Sequence, residues 1–271
     1  MNQGSITATI GDGKGGVALI AAKIINEGSI TADRGTVALA AANKVTLDLG
    51  GPVKVQIEEG ALNALIEQGG AIRADGGTVI MTAEGAGTLM AAAINHKGLT
   101  MARTLATGEN GKIQIGIAKK GNVTLEGKLD VSAVQGKAGT IEVTAENITL
   151  KTNASINANG ASGGGTVLIG GDWQGSGTLT QAKTVTMEKG ARIDASATVN
   201  GDGGKVVLWS DVNNVESVTS VAGTINTLGA GVGKGGQVET SGHQLGVIGN
   251  VNAGEGGEWL LDPVDITISN S

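Results

Sequence analysis

The sequence predicts an all-β solenoid, a parallel β-helix of roughly nine to eleven coils with short loop or helical excursions. Three observations lead there. A strand motif of small residue, Ile or Val, polar residue, Ala or Thr returns along the 271 residues. Each copy is followed by a Gly-rich turn and a second strand in which Val, Ile or Leu alternate with other residues. The composition suits a narrow aliphatic core, with 48 Gly, three Trp and neither Phe, Tyr nor Cys.

The first unit reads Gly4-Ser5-Ile6-Thr7-Ala8 and then Gly15-Gly16-Val17-Ala18-Leu19. The second is Gly28-Ser29-Ile30-Thr31-Ala32 with Gly35-Thr36-Val37-Ala38-Leu39. Ile72, Ile156, Ile193, Ile225 and Val251 anchor later copies, each with its own Gly-rich turn. Period-2 alternation puts Ile193 and Ala195 on one face and Asp194 on the other. In Val206-Val207-Leu208-Trp209 the alternation is blurred, so both faces are expected to be covered there. One unit cannot bury its own apolar face; stacking units does, each strand pairing with those above and below. The Gly-Gly pairs are read as corners that need positive φ.

Taking Leu99 and Val131 as the anchors of the fourth and fifth copies, successive anchors lie 24, 42, 27, 32, 25, 37, 32 and 26 residues apart. A strict-period solenoid does not fit such spacing, whereas a parallel β-helix loops extra residues out of a corner. The 42-residue gap holds Val45 to Leu49 and Val53 to Ile57, read as most of an additional coil. At about 4.8 Å per coil the rod should be about 45–50 Å long. Ala61 to Gln68, within residues 58–70, is the best helix candidate, and Met90 to Ile94 a weaker one. Helix should stay under about a tenth of the chain. Residues 1–271 are read as a single segment of a larger exoprotein.

Composition narrows the function. A net charge of −6 argues against phosphate-backbone binding, and three Trp make no platform for single strands. Without Cys there is neither a disulfide scaffold nor Cys-ligated metal. No apolar run is long enough for a transmembrane helix, and Met1 to Ile6 shows no signal peptide.

Ala61 to Ala83, Gly170-Gly171-Asp172-Trp173-Gln174-Gly175, Gly203 to Asp211 and Gly257-Glu258-Trp259-Leu260-Leu261-Asp262-Pro263 together resemble the large exoproteins of Gram-negative two-partner secretion. These are of the filamentous-haemagglutinin and high-molecular-weight-adhesin type. The resemblance implies a right-handed β-helix, secretion through an outer-membrane β-barrel transporter as partner, and roles in adhesion, haem-carrier capture or biofilm. The family's N-terminal secretion domain carries an Asn-Pro motif, whereas here Pro52 follows Gly51 and Pro263 follows Asp262. The chain is therefore expected to be an internal shaft segment at the cell surface, with a host-surface or glycan ligand.

Chemistry-bearing residues are few. His96 and His243 are the two imidazoles, both expected in solvated turns, and no His pair or Ser-His-Asp spacing supports catalysis or metal binding. Glu58, Glu59 and Glu84 are candidate carboxylates for polysaccharide cleavage on an outer groove, the alternative being a solvated face. Asp12, Asp202 and Asp211 sit in or near Gly-rich turns but do not recur at a calcium-binding nine-residue period. No catalytic, cofactor or metal residue is assigned. Trp173 is expected at a coil corner, capping a neighbour or stacking on a sugar; Trp259 should close the last coil, with Pro263 on an edge. The first reading is an adhesive shaft; the second is a polysaccharide- or ester-cleaving enzyme. A cluster of acids with His on one concave face would favour the enzyme, and flat Thr- and Asn-lined faces the shaft. Cut in mid-array, such a rod should also pair end to end.

Overall fold

A computed structural model of the chain describes residues 1–9, 15–48, 54–87, 89–105 and 110–264. Asp12, Pro52 and the tail Ser269-Asn270-Ser271 lie outside them. Three long parallel sheets of nine, nine and eight strands make the three faces of a parallel β-helix. The first sheet runs from Ser5–Thr7 to Asn250–Asn252 in three-residue strands. The second runs from Gly16–Ala21 to Glu258–Pro263, and the third from Lys23–Asn26 to Gln244–Val247. One strand of each, in that order, makes a coil. Nine coils contain eight rises, hence a rod of about 38 Å, shorter than the repeat count suggested.

The inner rows are aliphatic. Ile30, Ile72, Ile156, Ile193 and Ile225 stack in register along the first sheet, and Val37, Val79, Ile113, Ile141, Val167, Val206 and Val238 along the second. Ile193 and Ala195 are both fully buried, as the alternation required. Two anchors are displaced. Thr100, not Leu99, pairs with Ile72, and Leu129, not Val131, pairs with Ile156. The central residue of each three-residue strand points inward, so Leu99 and Met101 flank a buried threonine.

The glycines have a different cause from the expected one at most corners. A Cβ on Gly70, Gly98 or Gly127 would lie 2.0–2.1 Å from the carbonyl oxygen of the glycine one coil below. The coils approach too closely there for any side chain. Positive φ is the requirement elsewhere, as at Gly76 (φ 72°) and Gly190 (φ 96°).

Three segments depart from the sequence reading. The 42-residue gap holds no extra coil: Lys44–Asp48 and Lys54–Glu59 form an antiparallel hairpin that leaves coil 2 and packs on the second sheet. It buries the outward-facing Ala38 and Ala40. The helix candidate at Ala61–Gln68 is a bridge at Ala61 followed by the strand Leu65–Gln68, and Met90–Ile94 runs into the strand Ala92–His96. Parallel partners on both sides of those strands override a weak helical period. The one helical turn among the described residues is a 3₁₀ turn, Trp173–Gly175.

Candidate functional site

The outer face of the second sheet is covered at both flanks and open between them. The hairpin covers coil 2. Over coils 6 and 7, Trp173, Leu179 and Val212 pack on Leu168, Val207 and Trp209, so both faces of Val206–Trp209 are buried as expected. Trp173 caps its neighbours, with the Lys205 Nζ 5.0 Å from its ring centroid. Between the two covers lies a groove of about 300 Å³ floored by Ile80, Thr82, Gln114, Gly116, Glu142 and Thr144. Glu142 is the one carboxylate in its lining, and it is already engaged by Lys112 Nζ at 2.8 Å and Gln114 Nε2 at 2.8 Å. Two-carboxylate glycoside chemistry has no second acid here.

The sequence-derived carboxylates do not converge either. Glu58 is on the hairpin, paired with Lys44 at 2.5 Å and accepting from Thr46, and these bonds hold its pKa below the usual value. Glu59 accepts from Asn43, whereas Glu84 pairs with Lys119 at 2.6 Å. Asp202 accepts the Lys234 backbone N–H of the next coil, tying the two loops together, and Asp211 accepts that of Asn213, locking its own turn. Among the described residues no group of three His, Asp or Glu is placed to hold a metal.

The histidines are the largest surprise. His243 sits at a bend, half-buried, its Nδ1 3.0 Å from the Val212 carbonyl. His96 is in no solvated turn. It ends a strand of the third sheet, points into the core and is fully buried. Its column begins as a polar ladder, Asn2 Nδ2 to Asn26 Oδ1 and Asn26 Nδ2 to Gln68 Oε1, each 2.7 Å. His96 follows Gln68, and the column then becomes Leu125, Leu150, Met187 and Val221. The His96 Nε2 meets Thr100 Oγ1 at 2.9 Å, which explains the threonine in an isoleucine row; the Nδ1 has no partner. Burial pushes its pKa down to about 4, keeping the imidazole neutral at pH 7.

Sequence reasoning also missed Glu239. It faces outward from the second sheet yet is fully buried beneath the 3₁₀ turn, accepting the Gln174 N–H at 2.8 Å and the Ser241 hydroxyl at 2.9 Å. Burial raises its pKa. It holds Gln174, a non-glycine residue at φ 52°, in place. This is a structural latch, closed to solvent.

The third sheet presents the open surface. Asn95, Thr124, Thr149, Thr186 and Ser220 form one outward row in continuous register. Asn122, Asn147 and Thr184 form the row beside it, tied by Asn147 Nδ2 to Asn122 Oδ1 (3.0 Å) and Thr184 Oγ1 to Asn147 Oδ1 (2.8 Å). These eight residues are hydroxyls and amides without a formal charge, and the row is continued on the far side of Asn95 by Glu67, which accepts from Asn95 Nδ2 at 2.8 Å. Ion pairs such as Lys151–Glu188 and Lys183–Glu216 lie at its margins. The surface can offer donors and acceptors at the coil pitch of about 4.8 Å. A hollow of about 190 Å³ lined by Lys119, Lys120, Glu146, Lys183 and Asp211 opens at its margin.

The fold is shared with a solved structure. The chain is similar to the crystal structure of the HMW1 secretion domain from Haemophilus influenzae, with a TM-score of 0.76 and 29% sequence identity over 95% of this chain. It spans 64% of that chain's length. No family model and no curated protein matches. The likeness agrees with the resemblance to two-partner-secretion exoproteins read from the four sequence blocks.

Proposed function

We propose that the chain is a structural and adhesive shaft segment of a secreted bacterial surface exoprotein, binding by extended surface rather than by catalysis. The Thr and Asn face of the third sheet carries this reading: from Asn95 to Ser220 its two rows are regular and hold no titratable side chain, the feature that separates a shaft from a groove enzyme. Its ligand is a host-surface or glycan partner, engaged through hydroxyl and amide hydrogen bonds. Adhesion of the purified chain to host cells tests it. The double variant Thr149→Lys, Thr186→Lys should lose adhesion while keeping its melting temperature. Unchanged adhesion would remove the face from the reading.

A second reading is favoured by the comparison itself. The solved neighbour is a secretion domain and the likeness runs over 95% of this chain, although neither Gly51-Pro52 nor Asp262-Pro263 supplies the Asn-Pro motif expected of such a domain. In this reading the chain engages the outer-membrane transporter. Co-expression with that transporter decides between the two: export of the chain supports the secretion role, and retention supports the shaft alone.

A further inference from the structure

The hairpin on the second sheet leaves one strand edge unpaired, and that edge borders the groove. Lys44–Asp48 and Lys54–Glu59 form a sheet of two strands, so Lys54–Glu59 is paired on one side alone. Its other side faces the groove, because Lys54 and Val55 line it and no residue of Lys44–Asp48 does. Among the described residues, the backbone groups on that side bond to no other strand. Native folds blunt such an edge with a bulge or cover it. The one register shift of this hairpin falls between Lys44 and Val45, on the far strand. The open edge is instead one wall of a slot of about 300 Å³, with Ile80, Thr82, Gln114 and Gly116 in its floor and Leu179 opposite.

We propose that the slot takes an extended peptide segment of another protein, added to the hairpin as its third strand. The unpaired main chain sets the class of occupant, since a second backbone offers donors and acceptors at strand spacing, about 4.8 Å away. A two-stranded sheet is marginal by itself, and a third strand stabilises it. The hairpin also shows which side chains the floor accepts. Val45, Leu47, Val55 and Ile57 are half-buried, whereas Lys44, Thr46, Lys54 and Gln56 between them are exposed. A strand added at the same height repeats that alternation. Its inward residues meet Ile80, Gly116 and Leu179 and are therefore aliphatic or small; its outward residues are polar. Gly116 makes the floor lowest at mid-slot, where the neighbouring coils carry Thr82 and Thr144 in the same column. A second copy of this chain does not fit through the same edge. Its Lys54–Glu59 lies on its own second sheet, which would have to occupy the space of this floor.

Selection of a phage-displayed library of random peptides on the full chain tests this, with a selected peptide then synthesised and labelled for binding. Selected sequences should alternate aliphatic and polar residues. Ile80→Lys should raise the dissociation constant of the labelled peptide by at least about tenfold. Ile80 faces outward and is half-buried, so the melting temperature should hold. Gly116→Thr gives the same readout without added charge; the Thr144 hydroxyl, 3.1 Å from the new Cβ, is the one neighbour that must give way. Bound peptide should slow hydrogen exchange at alternate residues of 54–59. N-methylation of alternate peptide amides should abolish binding, and methylation of the amides between them should not. Thr149→Lys with Thr186→Lys should bind the peptide as wild type does, which separates the slot from the third-sheet face. A library that yields no peptide sensitive to Ile80→Lys would overturn the proposal. So would peptide binding that leaves exchange at residues 54–59 unchanged, which would be a side-chain contact without strand addition. An uncharged polysaccharide that displaces the peptide and is itself weakened by Ile80→Lys would assign the slot to a glycan instead.

Discussion

Replacing His96 and Thr100 together by the aliphatic residues of their own rows, His96→Leu with Thr100→Ile, should leave stability at pH 7 unchanged or improved and remove one acid sensitivity. Leu125 and Leu150 already occupy the His96 column, and Ile72 the Thr100 row. An unpartnered buried nitrogen such as the His96 Nδ1 costs about 1–3 kcal/mol, while exchanging both members of a buried polar pair for apolar groups of similar shape is close to neutral. The pH effect follows from the imidazole. Its pKa falls from 6.5 in the unfolded chain to about 4 in the fold, with burial as the cause and no charged group contributing; Gln68, Thr100 and Leu125 are its neighbours on the adjoining strands. The unfolded state therefore takes up a proton first as pH drops. Stability from neutral His96 is fully present above pH 6.5 and declines toward pH 4, a loss of about 3 kcal/mol at 1.4 kcal/mol per pH decade. Urea midpoints measured from pH 7 to pH 4 for wild type and the double variant isolate this contribution, since the carboxylates are common to both. Wild type should lose ground to the variant steadily below pH 6.5. Parallel pH profiles would refute the reasoning and place His96 in contact with solvent.

Ile193→Ala should destabilise by about 2–5 kcal/mol and Ile193→Val by much less, read from denaturation midpoints, because Ile193 is fully buried between Ile156 and Ile225. Val206→Ala should likewise lower the midpoint, through methyl groups removed from the second-sheet row. Glu239→Gln should equal or exceed wild type at pH 7. The raised pKa means that wild type gains stability as pH falls through it, so the two should converge near pH 4.5; a variant less stable at pH 7 would show that the carboxylate charge is needed. Residues 1–22 should exchange amide hydrogens faster than residues 130–210, because Ile6, Val17 and Leu19 are only partly buried in coil 1. Equal protection in a monomeric sample would contradict this.

The solenoid was legible because its motif is a direct statement of geometry. Ile193 and Ala195 had to face inward, and the unbroken run from Val206 to Trp209 announced a strand covered on both sides. Legibility failed where a residue's reason lies in another coil. Thr100 makes sense only against His96, so Leu99 looked like the anchor and the register slipped by one. Lys44–Asp48 and Lys54–Glu59 have the alternation of a coil, and nothing local distinguishes a parallel rung from a hairpin folded outward. Glu239 sits at an outward position that any strand pattern assigns to solvent; the covering turn at Trp173–Gly175 is 65 residues away at its hydrogen bond. The open Thr and Asn face was foreseen as a kind of surface, but its continuous register needed the strand pairing.

The proposed adhesive face is tested most directly by the salt dependence of binding between the purified chain and an uncharged fluorescent polysaccharide. A surface of hydroxyls and amides predicts affinity that is nearly constant from low to high ionic strength and is lost in Thr149→Lys with Thr186→Lys. Binding that weakens steeply with salt and survives that double substitution would place the contact among the charged corners and contradict the account.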